Sequence, residues 1–244
     1  MSTATATAPT WDWPSHFGAM GFHYEDRAFA GAGLAKLSGT ELDIVLAAVG
    51  PGNSRRILDV GAGTGRFSSA LARAGWKVTS FDGSTEMLAC IAKRLPDATL
   101  VHGRLGEPLP FVDGEFDAVV AMRVVKYVTN TEEAISELIR VVRPGSAVVF
   151  DVANGRSLAR FGYTGSPIGF VTPASLRTLT SRVGLDVHAT YDGPRLPHVL
   201  IGRAKSRAAG LVIAKIEQGF SRILGAGHGA RSIVVTATRA ANCR

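Results

Sequence analysis

Apolar residues recur along this chain in two alternating rhythms. The runs 56–60 (Arg56-Ile57-Leu58-Asp59-Val60), 76–82, 98–102, 116–122 and 147–152 are short and nearly continuous, the pattern of strands buried on both faces. Between them, 40–49, 66–74, 84–95 and 130–142 carry apolar positions at helical spacing. Boundary signals agree. Ser38-Gly39-Thr40-Glu41 reads as a capping box, Gly75 closes the second helix, and Asn130 with Glu133 three positions on caps the fourth. Pro144-Gly145 turns the chain into the strand 147–152. Strands alternating with helices predict an α/β, doubly wound parallel sheet.

The last third changes character. Thr172-Pro173 opens a helix that ends near Gly184, followed by a strand over 185–191. A long helix is predicted over 203–224, with Val212, Ile216, Phe220 and Ile223 on one face, and a final strand over 231–238. The first ten residues are rich in Ala, Thr and Ser and read as a tail. After them, Trp11, Trp13, Phe17 and Phe22 form an aromatic segment expected to act as a lid. The expected division is therefore 1–38, tail and lid, and 39–244, one folded domain.

A length of 244 residues suits one such domain. No apolar run is long enough to span a bilayer and no signal-peptide pattern opens the chain, so a cytoplasmic protein is expected. The two cysteines, Cys90 and Cys243, lack a neighbouring thiol or histidine at ligand spacing, which argues against a zinc site. The net charge of +7 has a location: eight basic residues and one acid, Glu217, lie from 201 onward, and the first 200 residues are balanced.

The strongest chemical signal is Asp59-Val60-Gly61-Ala62-Gly63-Thr64-Gly65, between a strand and a helix. Such a loop needs glycine because the backbone must turn tightly and approach a ligand with no Cβ in the way. The amides at the helix start then favour an anion. A nicotinamide-type loop would carry glycine where Arg66 stands. Asp82 ends the next strand, 23 residues after Asp59, where a carboxylate in this kind of fold accepts hydrogen bonds from both ribose hydroxyls.

The loop resembles the first motif of the class I S-adenosylmethionine-dependent methyltransferases. Phe81-Asp82-Gly83-Ser84-Thr85-Glu86-Met87-Leu88 resembles the second motif. The run 109–120 (from Leu109-Pro110-Phe111 to Phe116-Asp117-Ala118-Val119-Val120) is similar to the segment before strand four. Arg143-Pro144-Gly145-Ser146 resembles the turn before strand five, and Ser181-Arg182-Val183-Gly184-Leu185 a helix end. The resemblance covers roughly residues 40–190. It implies a Rossmann-like fold with a seven-stranded sheet whose last strand is antiparallel, and S-adenosylmethionine as cofactor, leaving as S-adenosylhomocysteine. Carried over residue by residue, it places Tyr24, Asp59, Gly61, Ala62, Gly63, Asp82, Gly83, Met87, Arg104, Leu105 and Met122 at the cofactor. Asp59 would order the glycine loop or reach the cofactor's ammonium. One departure stands out. Family members often carry an acid near His102-Gly103-Arg104-Leu105-Gly106 to accept from the adenine amino group, and Arg104 has no acceptor. Backbone groups of Leu105 would then take that contact, with Arg104 stacked or turned to solvent.

Methyl transfer from a sulfonium needs alignment and desolvation more than a catalytic residue. The candidates for a chemical role are Tyr127, after strand four, and His23, beside the aromatic lid; core packing and a plain hydrophobic flap are the competing readings. No acidic pair for metal-dependent catechol methylation is found, nor the Asn-Pro-Pro-Tyr or Pro-Cys segments of nucleic-acid enzymes. The expectation is methylation of oxygen or nitrogen, less readily carbon, on a small molecule or short peptide, in the style of natural-product biosynthesis. The alternatives are nucleic-acid methylation using the basic C-terminal region, although it lacks interleaved aromatics, and a module that binds cofactor without transferring.

Overall fold

The structure, a computed structural model, describes residues 12–19, 32–157, 168–192, 212, 215–216 and 230–241, with 32–38 described as backbone. His23, Tyr24, Cys243 and most of the predicted helix 203–224 lie outside the described residues; within that helix, Val212, Lys215 and Ile216 are helical and exposed.

Among the described residues, eight strands form one sheet: β1 (Arg56–Val60), β2 (Lys77–Asp82), β3 (Thr99–His102), β4 (Phe116–Ala121), β5 (Val142–Asn154), β6 (Phe170–Val171), β7 (Leu185–Asp192) and β8 (Ser232–Arg239). The order is β3-β2-β1-β4-β5-β8-β7, with β6 pairing β5 off the main path. β8 runs antiparallel to both β5 and β7, while β1 to β5 are mutually parallel. This is the doubly wound sheet with an antiparallel last strand that the sequence predicts, enlarged by the two-residue β6. The order reverses between β1 and β4, so their carboxyl ends flank the crevice where such sheets bind ligands.

The helices are α1 (Trp13–Gly18), α2 (Ala32–Val49), α3 (Arg66–Arg73), α4 (Thr85–Arg94), α5 (Thr131–Arg140) and α6 (Pro173–Arg182), with a 3₁₀ turn at Val125–Tyr127. Two predicted caps form, Asn130 accepting from the Glu133 amide and Thr172 from the Ser175 amide, and Ser84, expected inside its helix, instead caps α4 by accepting from the Met87 amide. Ser38 is not a cap. Helix α2 starts at Ala32 and runs through the expected boundary at 38–39, since the preceding Ala-Gly-Leu-Ala-Lys-Leu is mostly good helix former. The Arg143-Pro144-Gly145 turn also differs from expectation. β5 already pairs with Phe116 through Val142, then bulges before Ala147 meets Ala118, and Gly145 takes the left-handed φ of 76° that the bulge needs.

The two-residue period of the strands divides the core. Leu58, Val60, Val119, Ala121, Val148 and Phe150 meet Ile135 and Leu138 of α5 and Leu176 of α6 on one face. Ile57, Val78, Ala118, Val120 and Val149 meet Val45 and Val49 of α2 and Phe67 and Leu71 of α3 on the other. Among the described residues, no helix is long and apolar enough to cross a membrane.

Candidate functional site

At the carboxyl ends of β1, β2 and β4 lies a cavity of about 530 Å³, in the range of small-molecule sites. Its floor is the glycine loop. Gly61, Gly63 and Gly65 have φ of 69°, 57° and 86°, a region that penalises residues with a Cβ. At Gly61 a Cβ would strike the Val124 side chain at 2.5 Å, so this glycine lets the turn after β4 close against the loop. At Gly63 a Cβ would meet only the Gly61 carbonyl oxygen, 4.0 Å away, so this backbone faces the open cavity.

Asp82 stands at the mouth of the loop. Its Oδ2 accepts from the Gly63 amide at 2.8 Å and its Oδ1 from the Ser84 amide at 2.9 Å. Burial raises its pKa, and the Gly63, Ser84 and Gly83 amides oppose the rise. Each carboxylate oxygen can accept a second bond, so the group keeps capacity toward the cavity.

Ala62, Gly83, Met87, Arg104, Leu105, Met122 and Tyr127 also line the cavity. Asp59 does not. It shares strand parity with Ile57 and therefore faces α3, where its Oδ2 accepts from the Ser68 hydroxyl at 2.6 Å, and Ser68 in turn meets Ser80 at 2.8 Å. Burial pushes the Asp59 carboxyl up to about 6. The Arg104 side chain is about half exposed and has a partner on the rim. Its Nη2 donates to Asp12 Oδ1 at 2.8 Å, tying the cavity rim to the segment that opens α1.

Helix α1 closes one side. Pro14 sits over Gly83, where a Cβ would approach it to 2.8 Å. The Trp13 and Phe17 rings lie 4.2 and 5.2 Å from that of Tyr127, centroid to centroid. Trp13 and Phe17 are thus the described part of the expected lid, and Tyr127 is their seat. Lys126 lies on Tyr127 as well, its Nζ 5.0 Å from the ring centroid.

Two arginines in the cavity wall were not among the site residues expected from the sequence. Arg66 opens α3 directly after the glycine loop, and Arg123 follows β4. Both guanidinium groups reach Glu41 of α2: Arg123 Nη2 donates to its two oxygens at 2.9 and 2.8 Å, and Arg66 Nη1 lies 3.5 Å from Oε2. Arg123 has a φ of 64°, unusual for a residue with a long side chain, and its amide donates to Asp151 of β5.

Comparison with known proteins agrees with this geometry. Residues 58–150 match the family described as a methyltransferase domain. Over 106 residues, the chain is 39% identical to the demethylmenaquinone methyltransferase of Renibacterium salmoninarum, covering 43% of this chain and 44% of that protein. Over 138 residues, it is 33% identical to the malonyl-[acyl-carrier protein] O-methyltransferase of Erwinia pyrifoliae, covering 55% and 52%. The match thus spans about half the length of these curated relatives. The geranyl diphosphate C-methyltransferase of Streptomyces coelicolor A3(2) shares the fold, with a TM-score of 0.69 at 14% identity over 97% of this chain and 99% of that one.

Proposed function

We propose that the chain, which matches a methyltransferase domain over residues 58–150, is a class I S-adenosylmethionine-dependent methyltransferase that binds S-adenosylmethionine in the cavity above β1, β2 and β4. The methyl group goes to an oxygen or nitrogen of a small molecule or short peptide. The observation that carries this reading is Asp82, held by two backbone amides beside a glycine whose open side faces the cavity.

The residues present fit the cofactor. Asp82 offers acceptors of the kind that two vicinal hydroxyls require. Gly63 leaves room for close backbone approach. Met87 and Leu105 are buried apolar groups in the same wall, suited to the faces of an adenine ring. With Arg104 turned to Asp12, the adenine edge falls to backbone groups near Leu105.

When bound, S-adenosylmethionine supplies a methyl group on a positively charged sulfur. The protein's part is to orient and to exclude water. Gly61 to Gly63 and Asp82 fix the nucleoside and the chain attached to it. Trp13, Phe17 and Tyr127 cover the far side and strip water from an incoming acceptor. The named relatives act on different acceptors, a quinone, a carrier-bound malonyl group and a prenyl diphosphate. The aromatic wall of this chain favours a flat, largely apolar acceptor.

Calorimetric titration of the full chain with S-adenosylmethionine and S-adenosylhomocysteine, with NADH as control, tests the reading. Binding of both sulfur compounds and none of NADH is expected. Binding of NADH, or of neither sulfur compound, overturns it. Transfer is then followed with methyl-labelled cofactor against flat phenols and amines, and label in none of them overturns the acceptor class.

A further inference from the structure

The chain between β7 and β8 leaves and returns at the edge of the sheet that carries the cavity. Asp192, the last residue of β7, pairs with Ile233, and Ser232, the first of β8, pairs with Ala153 near the end of β5. β5 runs parallel to β4, so both junctions stand at the carboxyl edge of the strands. Large apolar residues are exposed there: Phe170 of β6, which pairs with Ala153, at 38%, and Tyr191 of β7 at 42%. Within the connection, Val212 and Ile216 are helical, one turn apart, and more exposed still, at 57% and 44%.

That pair belongs to a longer pattern in the sequence. At the helical period, Val212, Ile216, Phe220 and Ile223 fall in one stripe over 203–224. Arg203 and Arg207 fall opposite it, and Lys215 and Arg222 on one flank. Lys205, in line with the stripe at its start, has a stem that can lie along apolar surface while the ammonium stays in water. The stretch holds five basic residues and one acid, Glu217, too much charge for a membrane span. A core helix hides its stripe against its own fold, whereas Val212 and Ile216 present theirs to solvent.

We propose that Val212, Lys215 and Ile216 belong to an amphipathic surface that docks the chain on an anionic lipid bilayer. The apolar stripe enters the boundary of the acyl chains and the basic side chains meet the lipid phosphates. A nucleic acid would use the cations and leave the stripe in water, so the exposed apolar residues favour lipid. Because the connection is tied to the carboxyl edge at both ends, docking holds that edge, and the cavity that opens on it, near the membrane. The acceptor reading above then gains a short path from lipid for an apolar acceptor; docking itself does not depend on that reading.

The test sediments the full chain with vesicles of phosphatidylcholine alone and of an equal mixture with phosphatidylglycerol. Binding to the mixed vesicles, falling as salt rises, and little binding to the neutral ones are expected. Val212→Ser with Ile216→Ser should weaken binding to the mixed vesicles about tenfold or more, as expected for two apolar side chains kept out of lipid. Both residues are exposed, so the melting temperature should not move. Lys215→Glu should weaken the same binding about fivefold or more. No vesicle binding by wild type, or equal binding to both kinds of vesicle, overturns the proposal. So does equal binding by wild type and the serine variant, and a DNA duplex held equally by both would then assign the cations to a polyanion. S-adenosylhomocysteine affinity, measured without lipid, should stay at the wild-type value in every variant, so failure here leaves the cofactor reading standing.

Discussion

The Asp82 carboxylate and the Gly63 amide, 19 positions apart, meet at 2.8 Å across the mouth of the cavity. The bond joins the end of β2 to the glycine loop after β1, so the group that would hold ribose also shapes the loop that would pass the methionine chain. Asp82→Ala should therefore weaken S-adenosylmethionine by ~1–3 kcal/mol, the range for losing hydrogen bonds to a charged acceptor. Calorimetry alongside thermal melting separates this from a general loss of fold. An unchanged affinity would remove Asp82 from the ribose contact.

Gly63 and Gly75 both adopt positive φ, 57° and 86°, but only Gly63 lines the cavity. Alanine at either position should cost about 1–2 kcal/mol of stability through the left-handed backbone. Gly63→Ala should in addition depress cofactor affinity, and Gly63→Val should abolish it, while Gly75→Ala leaves affinity at the wild-type value. Equal affinities in the two alanine variants would take the loop out of the binding site.

The glycine loop and Asp82 were legible because their signal is local: a strand, a turn and a carboxylate at a fixed distance. Asp59 was half legible. The two-residue period that makes β1 a strand also puts Asp59 on the Ile57 face toward Ser68, a consequence that the motif alone does not carry. The capping box at Ser38 was a false signal because Glu41 spends its carboxylate on Arg123 and the helix continues upstream. Arg104 read as a missing acceptor because its partner, Asp12, lies 92 positions away. Arg123 left no trace at all: its importance comes from a backbone conformation and from partners on α2 and β5, none of which a single sequence displays.

The aromatic contact between Trp13 and Tyr127, with centroids 4.2 Å apart, should appear as an energetic coupling. In a double-mutant cycle of Trp13→Ala and Tyr127→Ala, the loss of stability in the double variant should fall short of the summed single losses by ~0.5–1.5 kcal/mol. Denaturant titration of the four proteins measures it. Strict additivity would mean that α1 does not dock on Tyr127 in solution. Tyr127→Phe separates ring from hydroxyl: retained transfer in that variant assigns Tyr127 to covering the site, and loss of transfer with intact cofactor binding assigns it a proton.

Asp59 supplies a pH test of the buried polar network. Its carboxyl is raised from 3.8 to about 6, first by burial, against the bond from Ser68. Because the folded pKa lies above the unfolded one, the protonated group favours the folded state. That contribution is complete below about pH 3.8 and is lost as the pH rises through about 6. Above that, an ionised carboxylate in the α3 interface costs about 3 kcal/mol relative to its protonated form, an order-of-magnitude figure from 1.36 kcal/mol per unit. Asp59→Asn keeps an acceptor for Ser68 and cannot ionise. Its stability relative to wild type should therefore improve as the pH rises from 4 to 7, by up to that amount. Chemical denaturation at both pH values measures the difference. A difference that does not change with pH would show that Asp59 ionises as freely in the folded chain as in the unfolded one, and that the Ser68 and Ser80 hydroxyls compensate its burial.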